Sequence, residues 1–228
     1  MPNTKLTVLF GNYQTLTPIS DAAISGIAVD SRRVKPGDLF FATSDNVDGH
    51  QYIPQAVENG AAGVVGAKPL EDVGAPYIQV DDARGAMAHI SAAFYEFPAN
   101  DLTLIGVTGT DGKTSTVNLI YQILLAADLK TGMISTVNAR IGGEEMNTGL
   151  HVTTPEVFDV QRYLRQMVDA GLTHAVLETT SHGLAARRVL GKDFDIAVVT
   201  NITHEHLNDH GSYEAYREAK GKLFADLT

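Results

Sequence analysis

Cysteine is absent from all 228 residues, which removes disulfides, thiolate metal ligands and thiol nucleophiles together. Basic charge is scarce as well. Against 27 Asp and Glu stand 17 Lys and Arg, a net charge of −10. No run of like charge breaks this balance, so the electrostatic footprint of a nucleic-acid binder is missing. Any bound polyphosphate must be held by local geometry instead. Long apolar runs are missing too. The stretch from Leu6 to Phe10 is too short for the core of a secretory signal, and nothing approaches the ~20 apolar residues of a membrane span. A soluble, cytoplasmic protein without membrane insertion is the expectation. Hydrophobic residues make up 44% of the chain, enough for one large or two modest cores.

From residue 25 onward, short apolar runs alternate with helical patterns, the mark of α/β layering. "GIAVDSR", "DLFFA", "AAGVVGA" and "PYIQV" read as strands, and "YIPQAVENG" as a helix closed by Gly60. Asp82 is placed to cap the next helix, where Met87, Ile90, Phe94 and Phe97 form one apolar stripe until Pro98 stops it. "EFPANDLTL" is the best linker, so one domain is expected over 1–98 and another over 101–228.

The second segment opens with the strand "LTLIGVTG", the loop "TDGKTS" and a helix carrying Val117, Ile120 and Leu124. Strand, glycine loop and helix in this order are what a phosphate-binding loop requires. The pattern GxxxxGK[ST] fails at one place, because Val107 stands where its first glycine belongs. Gly106 and Gly109 supply the glycine instead. In such a loop the N–H groups of Thr110, Asp111, Gly112 and Lys113 point at phosphate oxygens, Lys113 bridges the β and γ phosphates, and the Thr114 hydroxyl ligates Mg²⁺. The fold expected is α/β, with a small N-terminal α/β domain followed by part of a phosphate-loop ATPase domain whose sheet is mainly parallel.

Beyond the loop, "TTPEVFDVQRYLRQMVDAG" reads as a helix capped by Thr154 with Pro155 at its first position. Its buried face is Val157, Val160, Leu164, Met167 and Val168. "THAVLETTSHG" and "FDIAVVTNITHEH" read as buried parallel strands whose carboxyl ends carry Glu178, Thr180, Ser181, His182, Asn201, His204 and His206. Open parallel sheets bind ligands off those ends. A glutamate directly after "AVL" is costly to leave unpaired, and Glu178 suits a Mg²⁺ ligand beside Thr114. A rival lies in "HEHLNDH", which approaches the HxHxDH pattern of binuclear metal hydrolases. Its aspartate and last histidine fall one residue late, and HExxH fails because position 208 is asparagine.

Taken together, "GVTGTDGKTS", "DSRRVKPGDLFFA", "DGHQYIPQAVENGA", "TTPE", "ETTSHGL" and "TNITHEHLNDHGSYEAYREAK" resemble the N-terminal half of a Mur ligase of the MurE-like branch. The resemblance covers nearly the whole chain, and the off-pattern glycine is a trait of that family. It implies ATP-dependent amide bond formation that adds the third amino acid to UDP-N-acetylmuramoyl-dipeptide in peptidoglycan precursor synthesis, through an acyl phosphate. ATP and Mg²⁺ are the implied cofactors. The implied partners are that nucleotide and an amino acid, and the full-length enzyme is expected to be a monomer. Residues 1–98 would bind UDP-MurNAc and 101–228 would be an incomplete central ATP-binding domain.

By residue, the resemblance implies that Gly109, Thr110, Asp111, Gly112, Lys113, Thr114 and Ser115 hold ATP. Thr114 and Glu178 would take one Mg²⁺ and His206 the other, with Asn201 beside the phosphates. Lys220, four residues after Tyr216, matches a lysine carried as a carbamate, an oxygen ligand in place of an ammonium. Val29 and Ser31 match positions at the uridine end, and Thr153, Thr154, Thr180 and Arg188 match the muramoyl and peptide side. Three departures stand out: "TSDNVDGH" lacks a customary glycine, "ETTS" replaces a Ser-Ser pair, and Ala186 replaces a polar substrate contact. The stretch alone is expected to be catalytically inert, and a non-catalytic nucleotide-binding pseudo-ligase is the remaining alternative.

Overall fold

Short apolar runs bounded by turn residues become the strands of separate sheets in the computed structural model, which describes residues 3–43, 48–136, 138–147, 155–189, 194–205, 210–225 and 227. The chain divides into two compact units, Met1–Phe94 and Tyr95–Thr228. In the first, β1 (Thr4–Lys5) and β2 (Ala23–Ile24) pair antiparallel, with α1 (Leu6–Phe10) directly after β1. Four strands then lie side by side in chain order, all parallel: β3 (Gly26–Ala28), β4 (Asp38–Phe41), β5 (Gly63–Gly66) and β6 (Tyr77–Gln79). The helix α2 (Ile53–Glu58) crosses from β4 to β5 and buries Ile53 and Ala56 against Phe40 and Val64.

Two sequence expectations, one in this unit and one just past its end, need correction. "GIAVDSR" is a strand only as far as Ala28. Asp30 then accepts the Arg32 N–H at 3.0 Å and turns Ser31–Arg33 into a 3-10 turn, the behaviour expected of an aspartate that offers its own backbone a local partner. The helix α3 (Ala83–Phe94) is capped as expected, the Asp82 carboxylate accepting the Gly85 N–H at 2.9 Å, and Met87, Ile90 and Phe94 are buried. Phe97 does not continue that stripe. The helix ends at Phe94, and Glu96 and Phe97 both take left-handed φ values of 62° and 49°, leaving Phe97 42% exposed.

The second unit contains β7 (Thr103–Thr108), α4 (Lys113–Ala126), β8 (Thr131–Ile134), β9 (Asn138–Ile141), β10 (Glu144–Asn147), α5 (Val157–Asp169), β11 (His174–Glu178), α6 (Ser181–Ala185), β12 (Ile196–Val199) and α7 (Tyr213–Ala225). Its six strands run in the order β10, β9, β8, β11, β7, β12. The last four are mutually parallel, and the hairpin β9–β10 adds an antiparallel edge. Gly142 and Gly143, at φ 58° and 90°, make the tight turn of that hairpin, where two consecutive positive φ values favour glycine. For α5, Thr154 lies outside the described residues, and the helix begins at Val157 with Glu156 at its N-cap, two residues later than Pro155 suggests.

Helices cover both faces of this sheet, so its central strands are apolar on both sides. Leu104, Ala175, Leu177 and Ile134 join a core with Val160, Leu164 and Met167 of α5 and Leu223 of α7. The alternate residues Ile105, Val107, Val176 and Met133 pack with Val117 and Tyr121 of α4. Val107 is therefore a core residue with 0% exposure, which is why valine can stand where the loop pattern asks for glycine. Gly106 has the opposite requirement. A Cβ there would come within 2.8 Å of Leu223 and 2.9 Å of Phe194, so the close approach of α7 to β7 depends on its absence. We expect Gly106→Val to destabilise the second unit by ~1–3 kcal/mol in urea unfolding, the usual cost of overpacking a dense core. An unchanged midpoint would contradict that packing.

Candidate functional site

Adjacent parallel strands end level with one another: Glu178 pairs in register with Val107, and Val199 with Thr108. Four carboxyl ends therefore deliver their following residues to one rim, the place where open parallel sheets bind ligands. After β7 comes the glycine loop, after β8 Ser135 and Thr136, after β11 Thr179 to Ser181, and after β12 Thr200 and Asn201.

The loop is strapped from the β12 side. Thr110 N–H donates to the Asn201 carbonyl at 2.9 Å and Asp111 N–H to Asn201 Oδ1 at 3.1 Å. Asn201 Nδ2 and Thr200 Oγ1 donate back to the Asp111 carbonyl at 3.2 and 2.6 Å. This differs from the expectation that the Thr110 and Asp111 N–H groups face phosphate, since the backbone carbonyl of Asn201 engages the first and its side chain the second. Thr200 presses on Gly109, where φ is 151° and a Cβ would collide with the threonine hydroxyl. Gly112 is different: it caps α4 at φ 78° and a Cβ there would meet nothing within 4 Å. The loop thus opens at Gly112, where the positive end of the 14-residue α4 begins. Ser115 is exposed on the first turn of that helix.

Two lysines converge on this loop. Lys113 Nζ donates to the carbonyls of Gly109 and Thr110 at 3.1 and 2.8 Å, and Lys220 Nζ donates to the same Gly109 carbonyl at 2.6 Å. Lys220 is 2% exposed, on the inner face of α7. Burial, reinforced by the charge of Lys113 and opposed by that of Glu205, brings its pKa down to about 8. An amine that is neutral in part near physiological pH is a nucleophile, and one this dry cannot be a solvated surface lysine.

Thr114 and Glu178 meet as their pattern suggests. The Thr114 hydroxyl donates to Glu178 Oε2 at 2.9 Å, and the Thr136 N–H reaches the same oxygen at 3.1 Å. Glu178 is 3% exposed, so these bonds orient a buried carboxylate. Two hard oxygen donors this close suit a divalent cation of the Mg²⁺ type. Thr180 caps α6, accepting the Gly183 N–H at 3.0 Å, and Arg188 lies 3.2 Å from Glu156. His206, Thr153 and Thr154 lie outside the described residues, as do Ser44 to Asn46. So does Asp209 of the hydrolase-like histidine pattern, and among the described residues no group of three or more His, Asp or Glu is arranged to hold a metal.

In the first unit a pocket of about 340 Å³ is lined by Val29, Ser31, Arg32, Thr43, Tyr52 and Gln55, among others. Ser31 is a buried part of its lining and donates its hydroxyl to Gln55 Oε1 at 2.6 Å, so the two candidate residues Val29 and Ser31 share one cavity. Three contributors had escaped the sequence reading: Thr136, Thr200 and the hydroxyl of Tyr216. Thr136 acts through a backbone N–H and carries no side-chain signal. Thr200 adjoins Asn201 directly after β12, a position that could have been found, although this edge strand is only partly buried and not the buried strand expected.

Comparison with known proteins decides the family. The Mur ligase middle domain matches residues 107–228, and the Mur ligase family catalytic domain matches residues 23–95. The chain belongs to the Mur ligase family. Among Mur ligases it is similar to the UDP-N-acetylmuramyl-tripeptide synthetase of Roseiflexus sp. (strain RS-1), 47% identical over 92% of this chain and 42% of the relative. It is equally similar to the UDP-N-acetylmuramoyl-L-alanyl-D-glutamate–2,6-diaminopimelate ligase of Geobacillus thermodenitrificans, 47% identical over 90% of this chain and 41% of the relative. A solved structure titled as a 2,6-diaminopimelate ligase of the same kind matches with a TM-score of 0.79 at 26% identity, over 98% of this chain and 45% of that one. The chain spans less than half the length of the curated relatives it matches. No described helix is long and apolar enough to cross a membrane.

The buried Lys220 has a consequence for stability. Its folded pKa of about 8 lies below the ordinary 10.5, so between those values the unfolded chain binds more protons and stability rises with pH. Below about 8 both states are charged and the full cost of burial persists; above 10.5 both are neutral and it is gone. We expect the parent to gain stability relative to Lys220→Met across that window in denaturant titrations. Parallel pH profiles would contradict a buried amine.

Proposed function

We propose that this chain carries the uridine-nucleotide-binding and phosphate-activating parts of an ATP-dependent ligase that adds the third amino acid to UDP-N-acetylmuramoyl-dipeptide. One observation supports the reading above all: Lys113 and Lys220 meet at the Gly109 carbonyl while Thr114 and Glu178 pair on the same rim. In the proposed reaction the substrate carboxylate attacks the ATP γ-phosphate, ADP leaves, and an acyl phosphate results. The incoming amine then attacks the acyl carbon, expelling phosphate and forming the amide. No covalent bond to the protein is needed, so positioning and charge neutralisation carry the catalysis.

The roles follow from chemistry at each residue. The loop Gly109 to Ser115 and the start of α4 bind the phosphates, and Lys113 turns from the loop carbonyls to the β and γ oxygens. Thr114 and Glu178 would hold Mg²⁺, and His206 and a carbamate on Lys220 would offer a nitrogen and an oxygen donor, respectively, to a second ion. Bound Mg²⁺ supplies charge neutralisation on the transferring phosphoryl group. Asn201 gives up its hold on the loop as nucleotide binds and remains beside the phosphates. Residues 1–98 take the UDP-MurNAc moiety, Val29 and Ser31 its uridine, while Thr153, Thr154, Thr180 and Arg188 in the 101–228 domain face the muramoyl and peptide portion. The names of the diaminopimelate-adding relatives make 2,6-diaminopimelate the first amine to offer.

The two binding functions separate experimentally. Lys113→Ala should abolish MgADP binding by calorimetry, because the loop loses its one phosphate-directed cation, while leaving the melting temperature within about 2 °C of the parent. The same variant should still show UDP-dependent amide shifts at Val29 and Ser31. Parental ADP affinity in Lys113→Ala would refute the phosphate site, and absence of any UDP shift in the parent would refute the uridine pocket.

A further inference from the structure

Tyr216 has no role in the chemistry above, yet it is the largest fully buried side chain among the described residues and touches several parts of the site. Its hydroxyl lies 3.0 Å from Thr110 Oγ1, inside the phosphate loop, and Thr110 Oγ1 also accepts the Thr203 N–H at 2.9 Å. Its ring lies under Lys220, with Nζ 4.6 Å from the ring centre, and 5.4 Å from the ring of His210. Tyr216 precedes Lys220 by four residues on α7, which puts both on one helix face. The desolvation that buries the phenol raises its pKa, so the hydroxyl keeps its proton and remains a hydrogen-bonding group.

This placement has different consequences for the free amine and for its CO₂ adduct. Lys220 Nζ adds to the carbon of CO₂ and releases one proton to solvent, leaving a carbamate anion. An aromatic face attracts a cation and repels an anion, because the ring quadrupole is negative on its face. The ring is thus a backstop: the amine rests on it, and the carbamate oxygens are turned away from it. The opposite side of Nζ is the loop, where the Gly109 carbonyl already accepts its proton. Meanwhile the phenol hydroxyl ties that same loop to α7 through Thr110.

We propose that Tyr216 is a positioning residue that holds Thr110 of the phosphate loop in register with α7 and directs the Lys220 carbamate toward that loop. The inference rests on the ligase reading, through the carbamate. A tyrosine that only filled the core would tolerate phenylalanine, which keeps the ring and loses one hydroxyl.

The chain equilibrated with ¹³C-bicarbonate and followed by ¹³C NMR reports the carbamate, with Lys220→Arg as the control that identifies its signal. Calorimetry with MgADP reports the loop. Tyr216→Phe should keep the carbamate signal and weaken MgADP binding about tenfold, the usual effect of deleting a buried hydrogen bond. In a Thr110→Val background the same substitution should change affinity by less than about twofold, because its partner is already gone. Tyr216→Leu, which removes the ring that turns the carbamate oxygens toward the loop, should keep a Lys220-dependent signal but move its ¹³C shift. Parental affinity in Tyr216→Phe, or an equal loss with and without Thr110, overturns the proposal, and so does a folded leucine variant whose carbamate shift matches the parent. In those cases the parent signal stands and the ligase reading survives. A parent with no Lys220-dependent signal overturns that reading and this inference together.

Discussion

The carbonyl oxygen of Gly109 accepts hydrogen bonds from two lysines that reach it from different helices, Lys113 at the start of α4 and Lys220 on α7. Two cations on one oxygen repel each other, and Lys113 is among the causes that bring Lys220 down to about 8. The arrangement exists because Gly109 has no side chain. Thr200 occupies the space a Cβ would need, and the positive φ there is strained for any residue but glycine. One position where only glycine fits therefore locks the loop to β12, aims its carbonyl at both lysines and leaves the turn at Gly112 open.

The rest of the second unit serves that geometry. β7 is buried on both faces, so the loop leaves a rigid strand rather than a mobile one. Gly106 lets α7 settle against β7, which brings Lys220 and Tyr216 to the loop. The in-register ends of β7 and β11 set Thr114 and Glu178 within hydrogen-bond reach, and Thr136 from the end of β8 fixes the carboxylate. A site assembled from strand ends and helix starts holds reacting groups more firmly than one built from loops alone.

Much of this was legible in the sequence, for reasons visible at particular residues. The α/β class and the mainly parallel sheet follow from apolar runs such as "TLIGVT" that only a strand covered on both faces would carry. Strand, loop and helix around "GTDGKTS" were legible because glycine, lysine and threonine there have few other uses in combination. What could not be read was mediated by the backbone or by distant pairing. Thr136 works through its N–H, the Tyr216 hydroxyl finds Thr110 across 106 residues, and Asn201 engages loop N–H groups expected to face phosphate. The hairpin β9–β10 carried a signal in Gly142-Gly143 that went unread, and the Phe97 stripe failed because the helix ends at Phe94 and the backbone turns left-handed at Glu96 and Phe97.

The central claim is that nucleotide phosphates and a divalent cation meet where the Thr114 hydroxyl now donates to Glu178. Mn²⁺ in place of Mg²⁺ makes this measurable, since pulsed electron paramagnetic resonance detects ³¹P coupling when the ion touches phosphate. With ADP and Mn²⁺ the parent chain should show ³¹P coupling, and Glu178→Gln, which keeps the shape but loses the charge, should show it weakened or lost. Undiminished coupling in Glu178→Gln, or none in the parent, would place the ion elsewhere and contradict the account.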